Sequence, residues 1–128
     1  MQKFDTKGFR TWIEIDTAAI KHNYTLLRNL LSPHTKFMAV VKSNAYGHYL
    51  HDFALEIEKI GADWIGVDSI VEGIALREQG IKIPILVLGY TLPERIEEAA
   101  NADITLSVAT FETLEAVSRL DTKISIHI

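Results

Sequence analysis

The stretch FMAVVKSNAYGH, residues 37 to 48, places a lysine at the end of an apolar run and follows it with a small, polar, turn-forming segment. The apolar run is typical of a buried β-strand. A doubly wound nucleotide-binding sheet carries a glycine-rich phosphate loop after its first strand, and this stretch has none. A lysine at the carboxyl end of a strand is instead typical of an active site in a (β/α) barrel. The stretch therefore favours a barrel.

Short apolar runs alternate with helical segments along the rest of the chain. Residues 11 to 15 (TWIEI) alternate apolar and polar side chains like a half-exposed strand, and Asp16 then suits the N-cap of a helix that extends to about Leu31. Continuous apolar strands separated by helices predict a parallel sheet with right-handed crossover connections. The five runs of this strand type are residues 36–42, 64–68, 84–88, 104–108 and 123–128.

The predicted fold class is α/β, a (β/α)8 barrel of the TIM type of which this chain provides about the first five strands. A complete barrel of this type needs eight strands and about 250 residues, whereas the chain has 128 residues. We expect a leading strand segment over residues 1–15 and an incomplete barrel domain over residues 16–128. The chain is then the first part of a longer protein.

The composition is that of a globular protein and argues against several functional classes. Of the residues, 48% are hydrophobic and 23% are charged, and a net charge of −4 with scattered basic residues forms no stripe for a nucleic-acid backbone. No apolar run approaches the roughly 20 residues that cross a bilayer, and the first residues have no signal-peptide pattern. The absence of cysteine fits a reducing compartment. We therefore expect a cytoplasmic protein that binds neither nucleic acid nor membrane.

Lys42 has two interpretations from local pattern. A period of two places Met38, Val40 and Lys42 on one face of the first strand, which in a barrel lines the interior or opens at its mouth. Desolvation there would lower the pKa of the lysine and favour the free amine, the form that attacks a carbonyl to make a Schiff base. Alternatively, the stem lies along apolar surface while the ammonium reaches water. Spacing alone leaves both open.

Several segments resemble one family of enzymes. Residues 40–48 (VVKSNAYGH) closely resemble the lysine motif of the alanine racemase family of pyridoxal phosphate enzymes. The likeness continues in RTWIEIDTAAIKHNYTLLR (10–28), GADWIGVDSIVEGIALREQGI (61–81) and PILVLGYTLPE (84–94). The resemblance implies an eight-stranded barrel that holds the cofactor, followed by a mostly β domain absent from this chain, and a homodimer with residues from both subunits at each site.

The same resemblance implies roles for four residues. Lys42 matches the lysine that forms the internal aldimine with pyridoxal 5'-phosphate and transfers a proton on one face of the substrate. Tyr46 matches the tyrosine whose hydroxyl reaches the cofactor phosphate. Val40 and Leu88 match apolar wall positions near the cofactor, although such residues are ordinary core in most proteins.

The implied activity is the interconversion of L- and D-alanine for peptidoglycan precursors. The proton-transfer group opposite Lys42 lies outside this chain, so we expect the 128 residues alone to be inactive. Two alternatives stay open. One is another pyridoxal phosphate-dependent racemase or decarboxylase with the same barrel, acting on a different amino acid. The other is a non-catalytic cofactor-binding or scaffolding fragment.

The chain also departs from the family pattern. Tyr49 stands where the family usually has a glycine, and Asp68 stands where it has a small, usually apolar residue. We interpret Asp68 as part of a helix cap rather than as an active-site acid, since either it or Ser69 can supply the N-cap of the next helix. His48 and His51 lie three residues apart, but a zinc site needs a third ligand in set geometry, and we expect no metal.

Overall fold

The computed structural model describes Asp5 and residues 7–128, which form one parallel sheet and the helices that cover it. Each strand lies within one of the five predicted apolar runs and is shorter than that run, because the run continues into an adjoining loop. The strands are β1 (Met38–Val40), β2 (Trp64–Val67), β3 (Ile85–Val87), β4 (Thr105–Ser107) and β5 (Ile126–His127). The helices are α1 (Thr17–Asn29), α2 (Lys42–Tyr46), α3 (Leu50–Ile60), α4 (Ile70–Gln79), α5 (Ile96–Asn101) and α6 (Phe111–Ser118), with a 3₁₀ turn at Pro93–Arg95 before α5.

The strands follow one another across the sheet in chain order, and each is parallel to its neighbours. In the register of the first three strands, Val40 lies opposite Gly66, and Gly66 lies opposite Leu86. A doubly wound sheet changes direction at a switch point in its strand order. The strands of the described residues make no such change, so the predicted barrel order is confirmed.

The two faces of the sheet differ in what covers them. One face packs against the helices in a continuous apolar core, and an added Cβ at Gly73 of α4 would lie only 3.7 Å from Ile85. This face carries the buried side chains of Ala39, Val41, Ile65, Val67, Ile85, Val87 and Leu106. On the other face, Met38, Val40 and Leu88 converge on Gly66, whose added Cβ would lie 3.1–3.4 Å from all three. The prediction that Met38 and Val40 share a face is thus confirmed.

The first helix begins where the sequence indicates. The Asp16 carboxylate accepts hydrogen bonds from the backbone N–H groups of Ala18 at 2.8 Å and Ala19 at 3.3 Å, so the predicted N-cap is confirmed. The helix ends at Asn29, slightly before the predicted end. None of the helices in the described part of the chain is both long and apolar enough to cross a membrane.

The predicted strand over residues 11–15 is wrong. The described residues ahead of α1 form neither helix nor strand, and Ile13 in this segment is 77% exposed. A strand needs a neighbour to accept its backbone hydrogen bonds, and the described residues place no strand beside this one. Residues 1–4 and 6 of the predicted leading segment lie outside the described residues, and the predicted domain boundary at residue 15 stays a prediction.

Candidate active site

Three consecutive parallel strands bring their carboxyl ends to one edge of the sheet. Lys42 follows β1 after one residue, while Asp68 follows β2 and Leu88 follows β3 directly. In barrel enzymes this edge carries the catalytic residues, because the loops after the strands meet there. The candidate site is therefore the group of side chains at this edge.

The turn after β1 is wound in the left-handed sense. Backbone φ is 55°, 56° and 50° at Ser43, Asn44 and Ala45 of α2, and Tyr46 continues at 52°. Left-handed helical backbone costs L-residues roughly 1–2 kcal/mol each. Strain of this kind persists only where surrounding contacts enforce it, and it is concentrated at functional sites.

Local hydrogen bonds hold this turn and connect it to α3. The Asn44 side-chain oxygen accepts a hydrogen bond from the Leu50 N–H at 2.8 Å, at the start of α3. The His48 N–H donates to the Ala45 carbonyl at 3.0 Å, and the His48 Nδ1 atom lies 3.1 Å from the same oxygen. Gly47 ends the turn at a φ of 93°, where a side chain would be strained. The segment that the sequence indicates as turn-forming thus forms a turn, whereas its left-handed winding was not predicted.

Lys42 forms an ion pair across the two strand ends. Its Nζ atom donates a hydrogen bond to Asp68 Oδ1 at 3.0 Å, and the two side chains are 37% and 55% exposed. Because Val40 and Gly66 are register partners, the residues two positions further along, Lys42 and Asp68, project from the same face of the sheet. The sequence alone could not predict this ion pair, because it did not give the register of β1 and β2.

The interpretation of Asp68 as a helix cap is wrong. Ser69 is the N-cap of α4, and its hydroxyl accepts a hydrogen bond from the Glu72 N–H at 3.4 Å. With the cap supplied by Ser69, the Asp68 carboxylate is left to bind Lys42. The alternative cap at Ser69 is thus confirmed, and Asp68 lies in the candidate site instead.

The charges around Lys42 stabilise its ammonium form. The hydrogen bond and the negative charge of Asp68 raise the pKa of Lys42, and Tyr46 and Glu72 add smaller effects in the same direction. Partial desolvation acts the other way but is outweighed. The expectation of a lowered Lys42 pKa is therefore wrong, because it considered the desolvation of the lysine without its carboxylate partner.

Glu72 connects the two strand ends through backbone groups. Its Oε1 atom accepts a hydrogen bond from the Ser43 N–H at 2.9 Å, and its Oε2 atom accepts from the Asp68 N–H at 2.8 Å. The Ser69 N–H lies 3.3 Å from Oε2, which completes a capping box at the start of α4. One carboxylate therefore fixes the backbone next to Lys42 and the backbone of Asp68 at the same time.

The structure places the other three predicted site residues around this pair. Val40 and Leu88 meet above Gly66, and each is 40% exposed. Tyr46 is 62% exposed, and its hydroxyl makes no hydrogen bond to the residues that the structure describes. Together with Val40 and Ala45, it lines a groove of about 390 Å³ against α1. Among Asp5 and residues 7–128, no group of three or more side chains could hold a metal ion.

Known proteins resemble the chain along most of its length. The family described as "Alanine racemase, N-terminal domain" matches residues 15–128. Alanine racemase 2 of Oceanobacillus iheyensis is 46% identical over 107 residues, which make up 84% of this chain and 27% of that protein. The serine/alanine racemase of Enterococcus gallinarum is 40% identical over 115 residues, or 90% of this chain and 16% of that protein.

A solved structure agrees with these sequence matches. The crystal structure of alanine racemase from Bacillus anthracis with bound L-Ala-P superposes with a TM-score of 0.86 at 37% identity, over 92% of this chain and 31% of that one. The chain spans less than a third of each of these three proteins. The N-terminal domain of alanine racemases is a TIM barrel, so the predicted fold class is confirmed. The chain belongs to the alanine racemase family, and its residues 15–128 match the N-terminal domain of that family.

Proposed function

We propose that the whole protein containing this chain is a pyridoxal phosphate-dependent racemase that interconverts L- and D-alanine. The observation that carries the proposal is the partly exposed amine of Lys42, set at the carboxyl end of β1 beside a strained turn in a chain of this family. Because the chain spans less than a third of the relatives compared, the proposed activity belongs to the whole protein.

The side chains at the candidate site fit pyridoxal phosphate. Lys42 offers a primary amine, Tyr46 offers a hydroxyl that has no partner among the described residues, and Val40 and Leu88 offer an apolar surface for a ring. When bound, pyridoxal phosphate supplies an aldehyde for the lysine and an electron sink for negative charge at the substrate α-carbon.

Each residue has a defined task in this proposal. Lys42 binds the cofactor covalently and transfers the α-proton on one face of the substrate. Tyr46 donates a hydrogen bond to the cofactor phosphate, and hydrogen bonds to charged groups are among the stronger ones in proteins. Val40 and Leu88 orient the ring and exclude water from one side of it.

Racemisation also needs a proton-transfer group on the opposite face, since a single group can act on one face only. We propose that this group comes from a segment outside these 128 residues, in a homodimer whose sites include residues from both subunits. The chain alone is then inactive. The peptidoglycan role and the cytoplasmic location follow from the family resemblance and stay predictions.

Borohydride trapping of the whole protein tests the cofactor assignment. The purified protein is incubated with pyridoxal phosphate, reduced with borohydride and digested, and the mass of each lysine peptide is measured. We expect the cofactor mass on Lys42. Its appearance on Lys36 or another lysine instead would refute the proposed role.

A racemase with a broader substrate range is the second candidate. It is favoured by one observation, the 40% identity to a protein described as a serine/alanine racemase. Measuring the loss of optical rotation for L-alanine, L-serine and other L-amino acids with the whole protein separates the two. Comparable turnover of L-serine and L-alanine would favour the second candidate.

A further inference from the structure

The Asp68 carboxylate has one interaction within the described residues, its ion pair with Lys42. The helix that follows is capped by Ser69, so the carboxylate is not needed there. An ion pair this exposed contributes little to stability. Neither the capping of α4 nor the stability of the fold therefore explains why a carboxylate stands at this position.

The Asp68 backbone is fixed on both sides. Glu72 binds its N–H at 2.8 Å, and the Gly89 N–H donates to its carbonyl at 3.1 Å. Glycine is required at position 89, because an added Cβ there would lie 2.4 Å from the Asp68 carbonyl oxygen. A short side chain on so constrained a backbone holds its carboxylate in a narrow range of positions, all near Lys42.

We propose that Asp68 is a positioning residue for Lys42, whose carboxylate holds the ammonium group at the carboxyl end of β1 until the amine reacts. The inference that this contact serves catalysis rests on the proposed function. The Lys42–Asp68 contact itself does not depend on that function. Reaction with an aldehyde requires the neutral amine. The ammonium first releases a proton to solvent, the carbon–nitrogen bond then forms, and the aldehyde oxygen leaves as water.

The groups that face Lys42 act in one direction. Asp68 lies between β2 and α4, Glu72 lies in the first turn of α4, and Tyr46 lies on α2; all three favour the ammonium. Removing the Asp68 charge therefore shifts the formation of free amine to lower pH. The conservative change Asp68→Asn keeps the size of the side chain and removes its charge, so it isolates this effect.

Competitive amine labelling measures the effect without depending on the cofactor. The whole protein, freed of carbonyl compounds with hydroxylamine, is treated with trace acetic anhydride between about pH 6 and pH 11, the range in which lysines ordinarily titrate. Peptide mass spectrometry then gives the labelled fraction of Lys42 at each pH. We expect the Lys42 midpoint at lower pH in Asp68→Asn than in the wild type, and Asp68→Glu to restore part of the difference.

Asp63→Asn is the matched control. It breaks a second lysine–aspartate pair, Lys36–Asp63, at the other end of the same strands, and it is expected to leave the Lys42 midpoint unchanged. If Asp68→Asn does not fold, the salt dependence of the Lys42 midpoint in the wild type tests the proposal instead. Added salt screens a partly exposed pair, so the Lys42 midpoint is expected to move to lower pH as salt rises.

Identical Lys42 profiles in the wild type and folded Asp68→Asn, or a salt-independent wild-type midpoint if that variant does not fold, would overturn the proposal. A shifted profile combined with no cofactor on Lys42 in the trapping experiment would instead support the positioning role and refute the proposed function. The two inferences therefore fail in different ways.

Discussion

The two ends of the β1–β2 pair carry the same kind of ion pair and use it differently. At the amino ends, Lys36 Nζ lies 3.1 Å from Asp63 Oδ1, and at the carboxyl ends, Lys42 Nζ lies 3.0 Å from Asp68 Oδ1. The Asp63 carboxylate also accepts the Phe37 N–H at 2.8 Å, whereas the Asp68 carboxylate binds the lysine alone among the described residues. Asp63 therefore binds a backbone N–H as well as a lysine, whereas Asp68 binds only a lysine among the described residues.

The titration behaviour of the two pairs reflects this difference. The Phe37 N–H, followed by the hydrogen bond from Lys36 and the charges of Lys36 and Arg28, lowers the pKa of Asp63. At the other end, the hydrogen bond and the charge of Asp68 raise the pKa of Lys42. Barrels generally use the amino ends of their strands for stability and the carboxyl ends for chemistry. In this chain the two ends differ in that the Asp63 carboxylate accepts a backbone hydrogen bond and the Asp68 carboxylate does not.

The largest expected effect is the difference between removing Lys42 and removing Lys36. In the whole protein, Lys42→Ala is expected to abolish covalent attachment of pyridoxal phosphate and to lower racemisation by at least the hundred- to ten-thousandfold typical of a lost general acid or base. Lys36→Ala is expected to preserve both. Cofactor absorbance and D-alanine formation are the measurements, and equal losses in the two variants would erase the proposed difference between the ends.

Tyr46→Phe tests the carboxyl end more finely. A hydrogen bond to a charged group contributes about 1.5–3 kcal/mol, so its loss is expected to weaken cofactor binding by about ten- to a hundredfold. Equilibrium dialysis of the whole protein against pyridoxal phosphate measures this. Unchanged affinity would mean that Tyr46 serves packing, and Tyr90→Phe, an exposed tyrosine outside the predicted site residues, is the control.

Asp63→Asn tests the amino end through pH. Since the folded-state pKa of Asp63 is below its usual 3.8, its carboxylate stabilises the fold above about pH 4, and the contribution is lost as pH falls through the folded-state pKa. We expect the variant to unfold at lower temperature than the wild type near pH 7, with the difference closing in acid. Lys36→Ala is expected to retain much of the pH dependence, because the Phe37 N–H is the largest cause. A difference that persists undiminished in acid would contradict this account.

The smallest expected effect concerns backbone strain. Ser43 is exposed and has a φ of 55°, so Ser43→Gly is expected to relieve up to about 1 kcal/mol, partly offset by the greater flexibility of glycine when unfolded. Ser118→Gly, in the last turn of the right-handed helix α6, is expected to destabilise the protein instead. Urea unfolding of the whole protein compares the two. Changes of the same sign would show that the left-handed turn is not strained.

Much of this fold was predictable because it depends on local signals. The apolar runs, the Asp16 cap and the period of two at Met38 and Val40 each follow from residue type and spacing alone. The strand over residues 11–15 failed for a reason that local pattern cannot reveal, since a strand requires a partner from elsewhere in the chain.

The site was less predictable because its central contact joins distant residues. Lys42 and Asp68 are 26 residues apart and meet through the β1–β2 register. Lys42 and Asp68 each lie two residues beyond a register partner, Val40 and Gly66, and this equal spacing was the signal for their contact. The role of Asp68 stayed ambiguous because both Asp68 and Ser69 could cap α4. The left-handed turn runs against the preferences of four non-glycine residues, so propensity could not have predicted it.

The Glu72 carboxylate has a consequence for hydrogen exchange. It protects the amide hydrogens of Ser43 and Asp68 together, although they belong to different loops. Each amide donates to a different oxygen of the same carboxylate, so a local opening that displaces the Glu72 side chain exposes both to deuterium. We therefore expect both amides to lose protection in Glu72→Ala, which removes both acceptor oxygens, whereas Glu72→Gln keeps one oxygen and is expected to expose one amide more than the other. Exchange of the two amides therefore tests whether the loops that carry Lys42 and Asp68 are released by the same event.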